Sequence, residues 1–500
     1  MGQYRVRFAK GSKYQAELDS QCSTSMCHNS PASTSPPESN CPISSKSITP
    51  KPHHTKSRFG CKQCRLRRVK CDETFPVCLR CQRRGSVCLA SYKPAKWHTE
   101  MPWLSDMIVL DSWPRDSALD KRLVQHWVEQ TSQLWSIDRN NNPLSLPVLQ
   151  HLTTSPSLLH AIQSVSAGHE NYFNNSGLQT CLEERGRALK LVREELRDAT
   201  SIPVSSMLTI FLLGTSSPWI QSDSWGKEHL DGARALIKVM LSRKGIREES
   251  LTQFLLGWYL YWDMTCSFLD DPENNSHLST SDILQSVQLD GDLFHPIIGF
   301  SSTLYAQVAD VGRYCRRILE QQPQDPEFEE TMEEQLVQWC PRDDDKCLHD
   351  LSLAYRNHGL LMLYQTCHRL PDPMRLIIDP CDDDGSEGLI VGTENVVRSY
   401  ALEIIRMVLE IPLNEPCANF QSMPLLSAAA ELTSEDSALR EDVIVQFKAL
   451  YSTDRVLVHL QSIDLLQELW NLRDCGVVMS WMELSLANGF GKIDLPEMER

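Results

Sequence analysis

The sequence predicts a mostly α-helical protein: a small metal-organised module near the N-terminus, a linker, and one large all-helical domain, with a disordered tail in front. Three observations predict it. Six cysteines between Cys61 and Cys88 form a strict internal repeat. Beyond about residue 115 apolar residues recur at helical spacing, while alternating strand patterns with turn dipeptides are rare. All 12 tryptophans lie at or beyond Trp97, which marks where packed structure begins. At 500 residues the chain is long enough to bury a sizeable core.

Residues 1–57 come first. Between 21 and 57, Ser, Thr and Pro fill 20 of 37 positions, and the large aliphatic side chains are only Met26, Ile43 and Ile48. So little apolar surface does not offset the entropy of ordering, and the segment is expected to be disordered. Its Cys22, Cys27, Cys41, His28 and the His53-His54 pair match no closed metal-site spacing. Met1-Gly2 lacks the hydroxyl residue at position 6 that an acylation signal needs, since Val6 stands there. No apolar signal segment follows Met1, and Phe254–Leu269, the longest apolar stretch, is interrupted by Asp263. The expectation is a soluble, intracellular chain with no membrane contact.

The module itself spans 58–91. Cys61, Cys64 and Cys71 recur as Cys78, Cys81 and Cys88, each seventeen positions on, so both halves read C-x2-C-x6-C. Two residues between thiols let both sulfurs turn back onto one ion, and tetrahedral soft thiolate is what zinc selects. Six ligands are too few for two separate four-cysteine sites and too many for one. Two Zn2+ ions sharing two thiolates satisfy all six. The residues alone leave open which two are shared.

Charge sharpens the picture. The net charge is −16, yet Lys56–Lys96 carries twelve Lys/Arg against Asp72 and Glu73, a local +10, leaving −26 elsewhere. A polyanion would bind at that island and be repelled by the rest. In the first half, Lys62, Arg65, Arg67, Arg68 and Lys70 surround the cysteines; in the second, Gly85 interrupts Arg83-Arg84 and is expected to take a turn conformation. A short helix near Cys64 would aim Leu66 and Val69 at the cluster and leave Arg65, Arg67, Arg68 and Lys70 outward.

These spacings and the basic run resemble the zinc binuclear cluster (Zn2Cys6) of fungal transcription factors. The resemblance implies sequence-specific binding of double-stranded DNA at CGG-like half-sites, regulation of RNA polymerase II transcription and a nuclear location. It implies Arg67 and Arg68 at base edges, where guanidinium pairs bidentately with guanine. Arg65, Lys70 and Lys62 are assigned to phosphates. It also implies Cys61 and Cys78 as the shared ligands and Pro76 as the proline that sets the loop. Many members of the family have Lys where this chain has Arg67 and Arg68.

A linker, 92–114, holds Lys93-Pro94 and Met101-Pro102 and no sustained apolar heptad. A homodimer stays open without a clear coiled coil. From 115 to 490 a helical domain is expected. Leu119, Leu123, Trp127, Val128, Thr131 and Leu134 form one stripe, read as core and not as a dimer seam. Leu230, Ala233, Leu236, Ile237 and Leu241 form another, with Gly245 suited to end that helix. Further helices are expected at about 147–170, 178–198, 203–214, 250–269, 299–320, 348–369, 394–411 and 454–488, with a polar break at 371–392. The run His229–Leu236, with Pro156–Ala161 and Phe254–Trp258, resembles the helical regulatory domain of fungal-specific transcription factors. That resemblance implies action through the transcription machinery or co-regulators. An enzyme, or a scaffold whose zinc module only targets it to DNA or protein, is the alternative. No nucleophile elbow, P-loop, dinucleotide fingerprint or His-Glu-x-x-His helix is found, so no catalytic residue is assigned. Asp343–Asp345 and Asp382–Asp384 read as solvated loops.

Overall fold

Local caps and apolar stripes set the helix boundaries, and the stripes then converge on one core. The computed structural model describes residues 59–89, 120–170, 177–198, 202–220, 225–242, 250–271, 278, 283, 284, 286, 294–367, 393–477 and 479–488. The tail at 1–57, the linker at 92–114, Gly245, the break at 371–392 and Asp382–Asp384 lie outside these residues. Two short helices belong to the cysteine module, α1 (Lys62–Leu66) and α2 (Leu79–Gln82). The helical domain follows with α3 (Lys121–Glu129), α4 (Pro156–Glu170), α5 (Gly177–Asp198), α6 (Val204–Thr215) and α7 (Lys227–Leu241). Next come α8 (Ser250–Cys266), α9 (Ser302–Leu319), α10 (Pro326–Gln338), α11 (Lys346–Cys367) and α12 (Thr393–Glu410). The last are α13 (Ser422–Ala429), α14 (Ser437–Asp454), α15 (Val458–Asp474) and α16 (Trp481–Ala487). Among the described residues no strand forms, and the sole bridge pairs His295 with Gly299.

Polar side chains start several of these helices. Asp120 accepts from the N–H groups of Arg122 and Leu123 at α3, and Asp325 accepts from Phe328 N–H at α10, where Pro326 fills the first turn. Ser480 and Glu483 form a reciprocal capping box at α16. Adjacent helices then pack in sequence: α4 on α5 and α6, α9 on α8 and α11, α11 on α12 and α13, and α14 on α15. Their buried faces merge into one hydrophobic core running from Val124 to Leu484. Of the first stripe, Leu119 lies outside the described residues and Leu123 packs with Ala167 and Cys181, whereas Trp127, Val128 and Leu134 join this core; Trp127 is fully buried, its indole N–H donating to the Leu144 carbonyl at 2.6 Å.

Several boundaries differ from the sequence reading. Helices α10, α13 and α14 were not expected, and the stretch expected as one helix over 454–488 is instead divided. Arg455 takes a left-handed conformation (φ 65°) that closes α14, and Gly476 (φ 86°) ends α15. In α10, PEFEETMEEQLVQ hides its apolar stripe among acids, and only Met332 and Leu336 of its large apolar residues are buried.

The core also contains a charged centre. Arg234, 1 % exposed, pairs with Asp263 at 2.6 Å, Asp270 at 2.5 Å and Asp231 at 3.1 Å, and Arg313 pairs with the other oxygen of Asp263 at 2.7 Å. Burial alone would raise the Asp263 carboxyl, but Arg313 and Arg234 hold it at about 2. Asp263 therefore breaks the apolar run of α8 because it anchors this network. Among the described residues no helix is long and apolar enough to cross a membrane.

Candidate metal centre and nucleic-acid interface

Each half of the module is built by the same local device. Cys61 precedes α1 and its sulfur accepts from Cys64 N–H at 3.3 Å; Cys78 precedes α2 and accepts from Cys81 N–H at 3.4 Å. The third cysteine of each half closes the unit in the same way. Cys61 N–H faces the Cys71 sulfur and Cys78 N–H faces the Cys88 sulfur, both at 3.5 Å. The seventeen-residue repeat is thus a structural pseudo-repeat. Gly85 has φ 55°, the turn conformation expected of it. Pro76 sits in the loop between the halves, after a cis Phe75–Pro76 bond.

The six sulfurs are buried and converge. Cys61, Cys64, Cys71 and Cys78 form one group, and Cys61, Cys78, Cys81 and Cys88 another, the ligand atoms of each within 4.8 Å of one another. The residues common to both are Cys61 and Cys78, whose sulfurs lie 3.8 Å apart. These are the only such metal-capable groups among the described residues. Burial pushes the Cys64 and Cys88 thiols up to about 12 and the Cys78 thiol higher still. At Cys61 burial is outweighed by donors from the Cys64 backbone and from the Cys64, Cys81 and Cys78 side chains, which bring it to about 7. So many thiolates coexist in that volume only with compensating positive charge, which two divalent ions on two shared-edge quartets supply. The donor set therefore fits two zinc ions.

Around this core the basic residues face solvent. Lys62, Arg65, Arg67, Arg68 and Lys70 are all exposed. Arg67 reaches Ser86 Oγ at 3.5 Å across the two halves. The local helix departs from expectation. It begins at Lys62, not Cys64, and stops at Leu66, and Arg68 then turns left-handed (φ 56°). The helical period does not extend to Val69, so Leu66 (68 % exposed) and Val69 (40 %) face solvent and not the cluster. Asp72 does more than add a charge: its carboxylate accepts from Leu79 N–H at 2.9 Å and Arg80 N–H at 3.3 Å, joining the first half to the start of α2. Burial would raise this carboxyl; the bonds from Thr74, Leu79 and Arg80 lower it.

Elsewhere the aspartate run Asp343–Asp345 serves the fold. Asp345 accepts from Leu348 N–H at 3.1 Å near the start of α11. Of the described cysteines outside the module, Cys181, Cys266, Cys315, Cys367 and Cys417 are buried as small apolar groups, whereas Cys475 is exposed. Burial pushes the Cys266 and Cys315 thiols up to about 12, which favours the protonated thiol over the nucleophilic thiolate.

Comparison with known proteins places these features. Residues 59–97 match the fungal Zn(2)-Cys(6) binuclear cluster domain, which holds two zinc ions, and residues 122–490 match the fungal specific transcription factor domain. The chain is 34 % identical over 133 residues to "Zn(2)-C6 fungal-type transcription factor afumD" of Aspergillus fumigatus, covering 25 % of this chain and 35 % of that one. It is 50 % identical over 40 residues to "Transcriptional regulatory protein moc3" of Schizosaccharomyces pombe, 8 % of each chain. It is also 50 % identical over 44 residues to "Transcriptional regulatory protein pro1" of Neurospora crassa, 9 % of this chain and 6 % of that one. The chain thus spans about a third or less of these relatives' lengths, and no solved structure matches it. With most of its length matched by the helical domain and the six-cysteine module ahead of it, the chain belongs to the fungal specific transcription factor family.

Proposed function

We propose that this chain is a zinc-dependent, sequence-specific DNA-binding regulator of RNA polymerase II transcription that acts in the nucleus. One observation carries the reading: a cation-rich face is exposed on a buried two-quartet thiolate core, in a protein whose remaining charge is −26. In this reading 58–91 is the DNA-binding module, 92–114 a linker and 115–490 the regulatory domain. Cys61, Cys64, Cys71, Cys78, Cys81 and Cys88 hold the metal, with Cys61 and Cys78 shared. Bound zinc supplies the fixed positive charge that keeps the six sulfurs ionised and the loops closed; about forty residues do not build an adequate core unaided.

The first half then does the recognition. Arg67 and Arg68 offer guanidinium forks to guanine O6 and N7 of a CGG-like triplet. Arg65, Lys70 and Lys62 neutralise phosphates and set the register. The acidic helical domain contributes no phosphate contacts and works through co-regulators or the transcription machinery. The protein is a regulator and not an enzyme.

Selection from a random duplex pool with the full-length, zinc-loaded chain tests the reading. A recovered consensus containing CGG-like triplets is expected. Recovery of no consensus, with binding that depends on salt alone, would reject sequence-specific recognition.

A further inference from the structure

The two halves of the module repeat in backbone but not in surroundings. The first half's basic face is open, whereas the end of the second half is seated on the helical domain. Cys88 N–H donates to Ser452 Oγ at 2.8 Å, and the Arg455 guanidinium donates to the Cys88 carbonyl at 3.3 Å. Ala449, one turn earlier on α14, is buried against the cysteines together with Val77 and the partly buried Leu413. A Cβ on Gly85 would lie 2.8 Å from Val445 Cγ2, so the turn of the second half needs glycine both for its φ of 55° and for this approach.

The receiving surface is itself held rigid. Ser452 Oγ donates to the Lys448 carbonyl at 2.6 Å, which leaves its lone pairs for Cys88. Arg455 is buried in its left-handed turn. Beside it, Asp454 pairs with His459 at 2.6 Å, and its carbonyl takes the Trp219 indole N–H at 3.0 Å. The seat therefore joins the first and last thirds of the helical domain.

We propose that the second half of the six-cysteine module is a docking element whose receptor is the end of α14, from Val445 to Arg455, and that this leaves the first half alone to read DNA. The docking claim stands on these contacts; the division of labour rests on the function proposed above. It assigns Gly85 and Cys88 to a protein contact, and Arg83 and Arg84 to neither base recognition nor the seat.

Hydrogen–deuterium exchange on the full-length, zinc-loaded chain tests it. In Val445→Arg, which sets a bulky cation against the basic second half, the Cys88 amide should exchange at least tenfold faster than in the parent. Ser452→Ala removes the single acceptor and should also accelerate it. Circular dichroism and a count of two zinc ions per chain identify a variant that has failed to fold; the decision then falls to Ser452→Ala. Unchanged Cys88 exchange in a folded variant would overturn the docking. Addition of a selected duplex should leave Cys88 protected in the parent, and deprotection would overturn the division of labour. A chain that docks but selects no DNA sequence would reject the recognition function while leaving the docking intact.

Discussion

Arginines that look alike in the basic run have different expected roles, and substitution separates them. Arg67→Ala or Arg68→Ala should lower affinity for the selected duplex by about 1–3 kcal/mol and relax preference at one guanine, because a bidentate base contact is lost. Arg65→Ala should weaken all sequences alike and reduce the slope of log affinity against log salt by about one. Fluorescence anisotropy at several salt concentrations distinguishes the two. If the Arg67 and Arg68 variants keep full sequence preference, the reading surface lies elsewhere. The cysteines sort in the same way. Cys61→Ala and Cys78→Ala remove a residue common to both quartets and should lower zinc content toward zero, whereas Cys71→Ala should first lose one ion; elemental analysis decides. The convergence of the six cysteines was legible because x2 and x6 spacings are short-range facts. The exposure of Leu66 and Val69 was not, because it depends on the left-handed turn at Arg68, a conformation an arginine does not advertise.

At the scale of elements, the network around Arg234 ties α7 to α8 and α9 through Asp263, Asp270 and Arg313. Arg234→Leu would remove the cation that Asp263 and Asp270 share, leaving Asp263 to Arg313. The expected cost is about 3–5 kcal/mol of stability, read as a lower denaturant midpoint with zinc content unchanged. A variant as stable as the parent would show that the carboxylates find other partners or protonate at little cost. The apolar stripe predicts α7, whereas the role of Arg234 is not legible locally, since its partners lie 29 and 36 positions away. Helix α14 is not legible for a related reason. The helix SALREDVIVQFKALYSTD buries parts of two faces, one toward the core at Val443, Phe447 and Leu450 and one toward the module at Ala449. A single stripe does not describe such a pattern. The capping box formed by Thr433 and Asp436 just ahead was the available signal.

Across the whole molecule, buried histidines make stability depend on pH in one direction. Burial lowers His126, His229 and His295 to about 4 and His358 to about 3, against an ordinary value of 6.5, and it holds His169 well below that ordinary value too. The unfolded chain therefore binds protons between pH 6.5 and about 4 that the folded chain refuses. Stability is full above pH 6.5 and declines as the pH falls through that window. The melting temperature should drop steeply between pH 6.5 and 4, and a flat profile would show that these imidazoles accept protons in place. The charge partition was legible at this scale, since −26 against +10 is a matter of counting. The seat of the module was not, because Cys88 and Ser452 stand 364 positions apart and neither belongs to a pattern naming the other.

That seat also fixes two points on the chain at once. Cys88 is held at the end of α14, and Asp120 is held at the start of α3, so the thirty residues 90–119 close a loop with both ends anchored. Loop closure is forgiving of length: doubling such a segment costs only about 0.6 kcal/mol. Docking within one chain therefore proceeds at an effective concentration set by the tether and not by the concentration of the protein. A contact too weak to hold two separate molecules together is ample here. The same contact offered by a second copy competes poorly, and inserting residues into 90–119 should leave the module seated on its own helical domain.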